Sequence, residues 1–422
     1  MDSIIITGGK RLSGEIDVQG SKNSSLPILA ATVLINGVSV IHNCPYLSDV
    51  DAAIDILRHL GCTVKRENHT LIVDSRNISE YEIPDSLMRE MRSSIVFLGS
   101  VLGRTGRAVL SSPGGCEIGL RPIDLHLSSL RKLGTVIDET GGKISCRKET
   151  HCTQGIISLS FPSVGATENI ILASALGKGR TVILNAAREP EISDLAAFLN
   201  KAGCRIEVGT QGTVVIDGAD RLGNCEHTVI SDRIAALTYL CAAGTAGGDL
   251  LLKNVNSSDF LSVLPVFEAA GCTVKNGKNF VRLAMNRRPR AIRDIRTMPY
   301  PGFPTDAQAP MMAMTSIAEG TSVIVENIFE SRYKHVSELK KMGARINVEG
   351  RVAVIDGVEK LCGAKVESSD LRGGSALVVA GLAAEGTTTV GNISHIDRGY
   401  EKIEDYLKMV GADIKRQTAP DS

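Results

Sequence analysis

Six times along the chain, an amphipathic segment of helical period runs into the same short pattern. The pattern is an apolar residue, a glycine, a small residue, a variable residue and a β-branched or similar apolar one. The instances are LGCTV at Leu60, LGTVI at Leu133, AGCRI at Ala202, AGCTV at Ala270, MGARI at Met342 and VGADI at Val410. Their glycines, Gly61, Gly134, Gly203, Gly271, Gly343 and Gly411, lie 73, 69, 68, 72 and 68 residues apart. A period near 70 over 422 residues implies a repeat architecture, in which each unit buries its apolar face against its neighbours.

Each unit reads alike. A helix apolar on nearly all sides comes first, as in IILASALGKGR or LVVAGLAAEGT, closed by a C-terminal glycine. A β-branched strand follows, then a second helix with one apolar face, such as Val50, Ile54, Leu57 and Leu60. The signature glycine ends that helix, and a hairpin with turns such as Asn276-Gly277 and Glu349-Gly350 completes the unit. Helices that are apolar all round belong inside, with sheets outside them. The expectation is an α/β protein of two similar domains with three repeats each.

The repeat sorts the cysteines. Cys62, Cys204 and Cys272 fill the slot after the signature glycine, where other units carry Thr135, Ala344 and Ala412. They read as small packing residues, as does Cys241 inside an apolar helix. The second unit breaks the period. From Val182 to Gly203 is 21 residues, but from Val109 to Gly134 is 25. The extra residues fall in SSPGGCEIGLRP, a Gly/Pro-rich stretch around Cys116 that reads as an exposed loop. Arg121 lies five residues on and would lower the thiol pKa. On loop composition alone, Cys116 is either a reactive thiol or a tolerated free cysteine.

Several buried-helix starts carry a cation: Lys22 beside Asn23, Arg92 in MRSSIVFLG, Arg233 in SDRIAALTYL and Arg372 in DLRGGSALVVA. Lys and Arg are not usual caps. Recurring there, with Arg398 at another helix start, they suggest that several helix N-termini face one anionic ligand. Taken singly, Lys22 also reads as a solvated side chain beside an Asn cap. Asp306, Asp370, Glu189 and Glu191 are each an N-cap or a general base. His395 alone reads as a hydrogen-bonded structural residue.

Composition narrows the partners. The 47 basic and 47 acidic residues cancel, which argues against a nucleic-acid scaffold or membrane-surface binder. Aromatics are 4% with no Trp, which disfavours stacking platforms. No signal segment or spanning run is visible, and the ten cysteines form no CxxC. A reduced, cytoplasmic protein is expected. HExxH and P-loop patterns are lacking, so neither a metal nor another cofactor is implied.

The chain resembles the enolpyruvyl transferases. GSKNSSLPILAA (20–31), MRSSIVFLG (91–99), SSPGGCEIGLRPIDLH (111–126), SVGATENI (163–170), NAAREPEI (185–192), FPTDAQAP (303–310), DLRGGSALV (370–378) and HIDRGYE (395–401) span nearly the whole chain in the family's order. Within the family, the Cys loop sets this chain beside members that act on a nucleotide sugar, rather than on shikimate phosphate. The resemblance implies a two-domain inside-out α/β barrel of six βαβαββ-type repeats. Residues 22–230 would form one domain, residues 1–21 and 231–422 the other, with the active site in the cleft between them.

The implied reaction moves an enolpyruvyl group from phosphoenolpyruvate to the 3′-hydroxyl of UDP-N-acetylglucosamine and releases phosphate, the first committed step of peptidoglycan synthesis. By the same resemblance Cys116 is the general acid and forms a covalent adduct, and fosfomycin would alkylate it. Asp306 is the base and Asp370 a second acidic catalytic group. Lys22, Arg121 and Arg398 clamp phosphate, Arg372 pairs with the carboxylate, and Asn23 and Arg92 position substrate. Arg121, Pro122, Ile123, Asp124, Leu125, Ser163, Val164, Gly165 and Ile328 contact the nucleotide sugar. Phe161 and Ser48 stand where other members carry Lys, and neither is placed in the site. No nucleic acid, membrane or oligomer is required. Two other readings stay open: a transferase acting on shikimate phosphate, and a non-catalytic UDP-sugar binder.

Overall fold

A computed structural model describes residues 2–111, 123–149 and 155–418, the Arg92 side chain excepted. Among these residues the strands form six four-stranded sheets, all paired alike: one parallel pair, then two antiparallel pairings. The third repeat shows the plan in one stretch. Strand Gly155–Ser158 leads through helix Val164–Ser174 to Arg180–Leu184, then through helix Pro190–Ala202 to the hairpin strands Arg205–Val208 and Val214–Asp217.

Three sheets borrow a strand from far along the chain. Cys225–Thr228 completes the first sheet beside Val38–His42. Leu12–Asp17 completes the fourth beside Gly248–Lys253. Ser3–Thr7 sits between Thr387–Gly391 and Asp413–Gln417 in the sixth.

The described residues divide into two compact units, one running from Gly20 to Ile230, the other joining residues up to Gln19 with those from Ser231 on. Each has its own apolar core. In the first, helix Phe97–Thr105 packs against both Lys22–Thr32 and Val164–Ser174. In the second, Arg233–Ala246, Gln308–Thr315 and Leu371–Ala383 pack on one another. These helices are buried on nearly every side, as a sequence apolar all round requires. The fold is the expected α/β architecture, with helices inside and sheets outside. Among the described residues, no helix is long and apolar enough to cross a membrane.

The signature glycines act as left-handed helix stops. All six have positive φ, between 75° and 114°. Each donates its N–H three residues back, as Gly61 does to Arg58 at 3.0 Å and Gly203 to Asn200 at 3.1 Å. In five repeats the next residue bonds five back, as Cys62 N does to Leu57 O at 2.9 Å. That pair of bonds is the Schellman motif. The slot after the glycine is buried in every repeat, which is why it holds only Cys, Thr or Ala. Burial pushes the thiols up, Cys204 to about 11 and Cys272 to about 12.

A second repeated position was not visible as such in the sequence. Asn43, Asn185, Asn254 and Asn392 each follow the central strand of a sheet with φ between 52° and 59°. Three of their amides tie that strand's exit to its parallel neighbour, donating to Val229 O, Leu159 O and Asp17 Oδ1.

Candidate active site

In the unit spanning Gly20 to Ile230, Ser21 caps helix Lys22–Thr32 by accepting from Ser24 N at 3.2 Å. Lys22 is therefore the first helical residue, and its ammonium meets Asp49 at 2.6 Å. The pair is deep, with Lys22 8% and Asp49 1% exposed. Asn23 beside it is half-buried. The first turn is tied further by Asp194, whose carboxylate accepts from Ser24 Oγ, from Ile230 N at 3.2 Å and pairs with His227 Nε2 at 2.8 Å. Two segments thus converge on one buried carboxylate, which helps hold the start of the Lys22 helix.

Two of the expected nucleotide-sugar segments come together. Ser163 caps helix Val164–Ser174, accepting from Ala166 N at 3.3 Å. A Cβ at Gly165 would lie 2.9 Å from His126 Cε1, so the glycine permits that approach. His126 belongs to helix Asp124–Lys132, immediately after Ile123, Asp124 and Leu125. Its Nδ1 lies 2.8 Å from Asn169 Nδ2, and Asn169 Oδ1 accepts from Gly99 N at 2.6 Å. Burial drives His126 down to about 4, so at neutral pH the ring is uncharged and Nδ1 accepts. Ile123, Leu125, Val164 and Gly165 are half-buried, and Asp124 is exposed. Arg92 begins a 3₁₀ turn that leads into helix Phe97–Thr105. Cys116, Arg121 and Pro122 lie outside the described residues, as does the Arg92 side chain.

The other unit gathers charge at the heads of two buried helices. Asp306 Oδ1 accepts from Arg332 Nη2 at 2.6 Å, and Oδ2 from Arg372 Nη2 at 3.0 Å and Nε at 3.2 Å. Arg332 and Arg372 are only 3% and 2% exposed. Among the described residues, Arg332 Nε and Arg372 Nη1 find no hydrogen-bond partner. Burial opposes the charge on Arg372, but neighbouring Tyr400 and Asp306 outweigh it and raise its pKa. Asp370 caps helix Leu371–Ala383, accepting from Arg372 N and Gly373 N at 3.0 Å each. Of these two aspartates, Asp370 caps a helix, and Asp306 is held by guanidiniums. His335 is buried beside Asp370, and desolvation takes it down to about 4 despite that carboxylate.

Arg398 ends the short helix Ser394–Asp397. Gln19 holds the turn that follows, donating to Gly399 O at 3.2 Å and accepting from Glu401 N at 2.9 Å. A Cβ at Gly399 would meet Leu371 Cδ2 at 2.8 Å, so the Arg398 turn lies on the start of the Arg372 helix. Asp306, Asp370, Arg372 and Arg398 thus belong to one neighbourhood. Ile328 is shaped by Glu326, whose Oε1 accepts its N–H at 2.8 Å.

Sequence reasoning missed Asp49, His126, Asp194, Glu326 and Arg332. Asp49 carried a weak signal as an acid in a helix first turn. Arg332 carried none, because its segment has no helix-start pattern. Among the described residues, no group of three or more His, Cys, Asp or Glu side chains is placed to hold a metal.

The family model described as EPSP synthase (3-phosphoshikimate 1-carboxyvinyltransferase) matches residues 6–407. The chain is 53% identical over 416 residues to UDP-N-acetylglucosamine 1-carboxyvinyltransferase 2 of Caldanaerobacter subterraneus subsp. tengcongensis, covering 99% of this chain and all of the relative. It is 47% identical to UDP-N-acetylglucosamine 1-carboxyvinyltransferase 1 of Symbiobacterium thermophilum, over 98% of this chain and 94% of that one. Among solved structures, the enolpyruvyl transferase NikO from Streptomyces tendae superposes with a TM-score of 0.89 at 26% identity, over 99% of both chains. EPSP synthase from Acinetobacter baumannii shares the fold, with a TM-score of 0.76 at 18% identity over 99% of this chain and all of that one. Built from six βαβαββ repeats and matched over nearly its whole length by these proteins, the chain belongs to the EPSP synthase family of enolpyruvyl transferases.

Proposed function

We propose that the chain transfers the enolpyruvyl group of phosphoenolpyruvate to the 3′-hydroxyl of UDP-N-acetylglucosamine and releases phosphate. The observation that carries this reading is the Asp306 cluster. A carboxylate is held between two buried guanidiniums, each with an N–H left without a partner among the described residues. Such donors suit a carboxylate substrate, bound by charge-assisted hydrogen bonds. Relatives named for this reaction, similar over nearly the full length, give the nucleotide sugar its place.

In the proposed mechanism Asp306 accepts the 3′-hydroxyl proton as that oxygen attacks C2 of phosphoenolpyruvate. Cys116 gives a proton to C3, and a tetrahedral ketal forms. Loss of a C3 proton then expels phosphate and restores the double bond in the product ether. Lys22, Arg121 and Arg398 bind the phosphate, whose charge grows as it leaves, and fixed cations stabilise that charge. Arg372 and Arg332 bind the substrate carboxylate. Asp370 caps and orients the Arg372 helix and serves as the second acidic group. Asn23, Arg92, Ile123, Asp124, Leu125, Ser163, Val164, Gly165 and Ile328 position the sugar nucleotide. A thiol with pKa near 8 is a competent proton donor at neutral pH. The setting is cytoplasmic, at the entry to peptidoglycan synthesis, with the consequences for cell shape and division that follow, and fosfomycin as an inhibitor.

Phosphate release tests the reading, with phosphoenolpyruvate and UDP-N-acetylglucosamine each omitted in turn. Release should need both. Release without the sugar nucleotide, or with shikimate 3-phosphate in its place, would overturn it.

A further inference from the structure

We infer that Glu326 is a positioning residue that sets the Asp306 helix start and the Ile328 backbone through a single carboxylate. The inference rests on the proposed transfer to a nucleotide sugar, in which those two segments meet the acceptor.

Glu326 is completely buried, at 0% exposure. A buried carboxylate is costly unless its lone pairs are filled. Four neutral donors fill them here. Oε1 accepts from Thr297 Oγ1 at 2.9 Å, Ile328 N at 2.8 Å and Phe329 N at 3.1 Å. Oε2 accepts from Thr305 Oγ1 at 2.9 Å. Thr305 opens the 3₁₀ turn Thr305–Ala307, and its neighbour is Asp306. One oxygen therefore fixes the sugar-side backbone, and the other fixes the residue before the base.

The repeat shows that this is more than strand-end support. Glu326 stands directly after strand Thr321–Val325, in the slot that Asn43, Asn185, Asn254 and Asn392 occupy elsewhere. In the fifth repeat the tie to the parallel strand is kept by the next residue, as Asn327 Nδ2 donates to Thr297 O at 3.1 Å. Glu326 is thus added to the common device, at the one described central-strand exit that adjoins the proposed base. Its span joins two groups that must be aligned together for attack by the 3′-oxygen, where displacement of about 1 Å costs on the order of a hundredfold in rate.

The test is steady-state phosphate release by the full chain, read as kcat and KM separately beside the unfolding midpoint. Thr305→Val keeps the volume and removes only the donor to Oε2. Its kcat should fall roughly tenfold with KM for UDP-N-acetylglucosamine within about twofold, since it disturbs the transition state and not ground-state binding. Glu326→Ala should raise that KM and lower kcat together. Glu326→Gln keeps an acceptor for both backbone N–H groups and offers Thr305 an amide, so it should recover KM and most of kcat. Wild-type kinetics in Thr305→Val, or losses in Glu326→Ala that Gln fails to recover, would overturn the inference. Wild-type turnover is read first. Its absence would remove the proposed reaction itself, whereas an active wild type beside unaffected variants would remove only the role of Glu326.

Discussion

Lys22 and Asp49 form a buried ion pair at 2.6 Å at the head of the first buried helix. On the proposed function, the cation that binds the substrate phosphate is thereby held in place before substrate arrives. Removing one partner of a buried pair typically costs about 3 kcal/mol. Asp49→Asn should lower the unfolding midpoint and raise KM for phosphoenolpyruvate more than KM for the sugar nucleotide. Combining it with Lys22→Ala should cost less than the two losses added, since the shared interaction is counted once. A double-mutant cycle by denaturant unfolding reads the stability part. Additive losses there would refute the coupling.

Gly343 offers the cleanest test of the repeat stop. Its φ is 93°, and a Cβ there would meet nothing within 4 Å. Gly343→Ala therefore isolates backbone strain, which should cost about 1–2 kcal/mol. Gly343→Asn should cost less, because Asn tolerates the left-handed region. Turnover should stay at the wild-type level in both. Equal midpoints for wild type and Ala would mean the helix ends without needing the glycine.

The buried histidines set an acid limit. His126 and His335 sit near pKa 4 in the folded protein, mainly through desolvation. An unfolded histidine titrates at about 6.5. The unfolded chain thus binds these protons first as pH falls. Stability should be unaffected by either ring above about pH 6.5 and decline from there towards pH 4. His126→Gln, which can still bond Asn169, should flatten the decline by an amount on the order of a few kcal/mol at pH 4. An unchanged slope would show that His126 titrates normally.

The cysteines should react unequally. Cys44, Cys62, Cys146, Cys204, Cys225, Cys241 and Cys272 are buried, and Cys362 is exposed. Burial carries Cys146 and Cys272 to about 12. Iodoacetamide on the native protein should spare the buried set and reach Cys362 and, on the proposed function, Cys116. Fosfomycin should label Cys116 alone. Cys116→Ser should lose turnover and labelling, while Cys116→Asp should keep turnover and lose labelling. Peptide mapping by mass spectrometry reads each site, and fosfomycin found on another cysteine would count against the assignment.

The repeat made most of the fold legible. A glycine with an invariant job, such as Gly203 or Gly411, leaves the same trace six times, and apolar helices without a polar face admit only an interior position. Strand exchange left no trace of that kind. Nothing local in Leu12–Asp17 marks it as the neighbour of Gly248–Lys253, because a parallel partner is selected by the whole unit. The site divides the same way. Lys22, Asp306 and Arg372 stood out as charges at apolar helix starts. Asp49 and Arg332 act across the fold on those residues, and Asp194 and Glu326 on their neighbours Ser24 and Thr305; a contact spanning up to 170 positions, as from Ser24 to Asp194, has no spacing to read.

The borrowed strands also fix an order of assembly during synthesis. The unit between Gly20 and Ile230 contains, among the described residues, every strand of its three sheets, so it can close while later residues are still being added. The other unit cannot. Ser3–Thr7 is made long before its partners at Thr387–Gly391 and Asp413–Gln417. Until those leave the ribosome, an apolar strand destined for the middle of a sheet waits with both edges open. Closing a loop of that length is slow, and open edges invite pairing with other chains. The Ser3–Thr7 strand is thus exposed to aggregation for as long as Thr387–Gly391 and Asp413–Gln417 are still to be made.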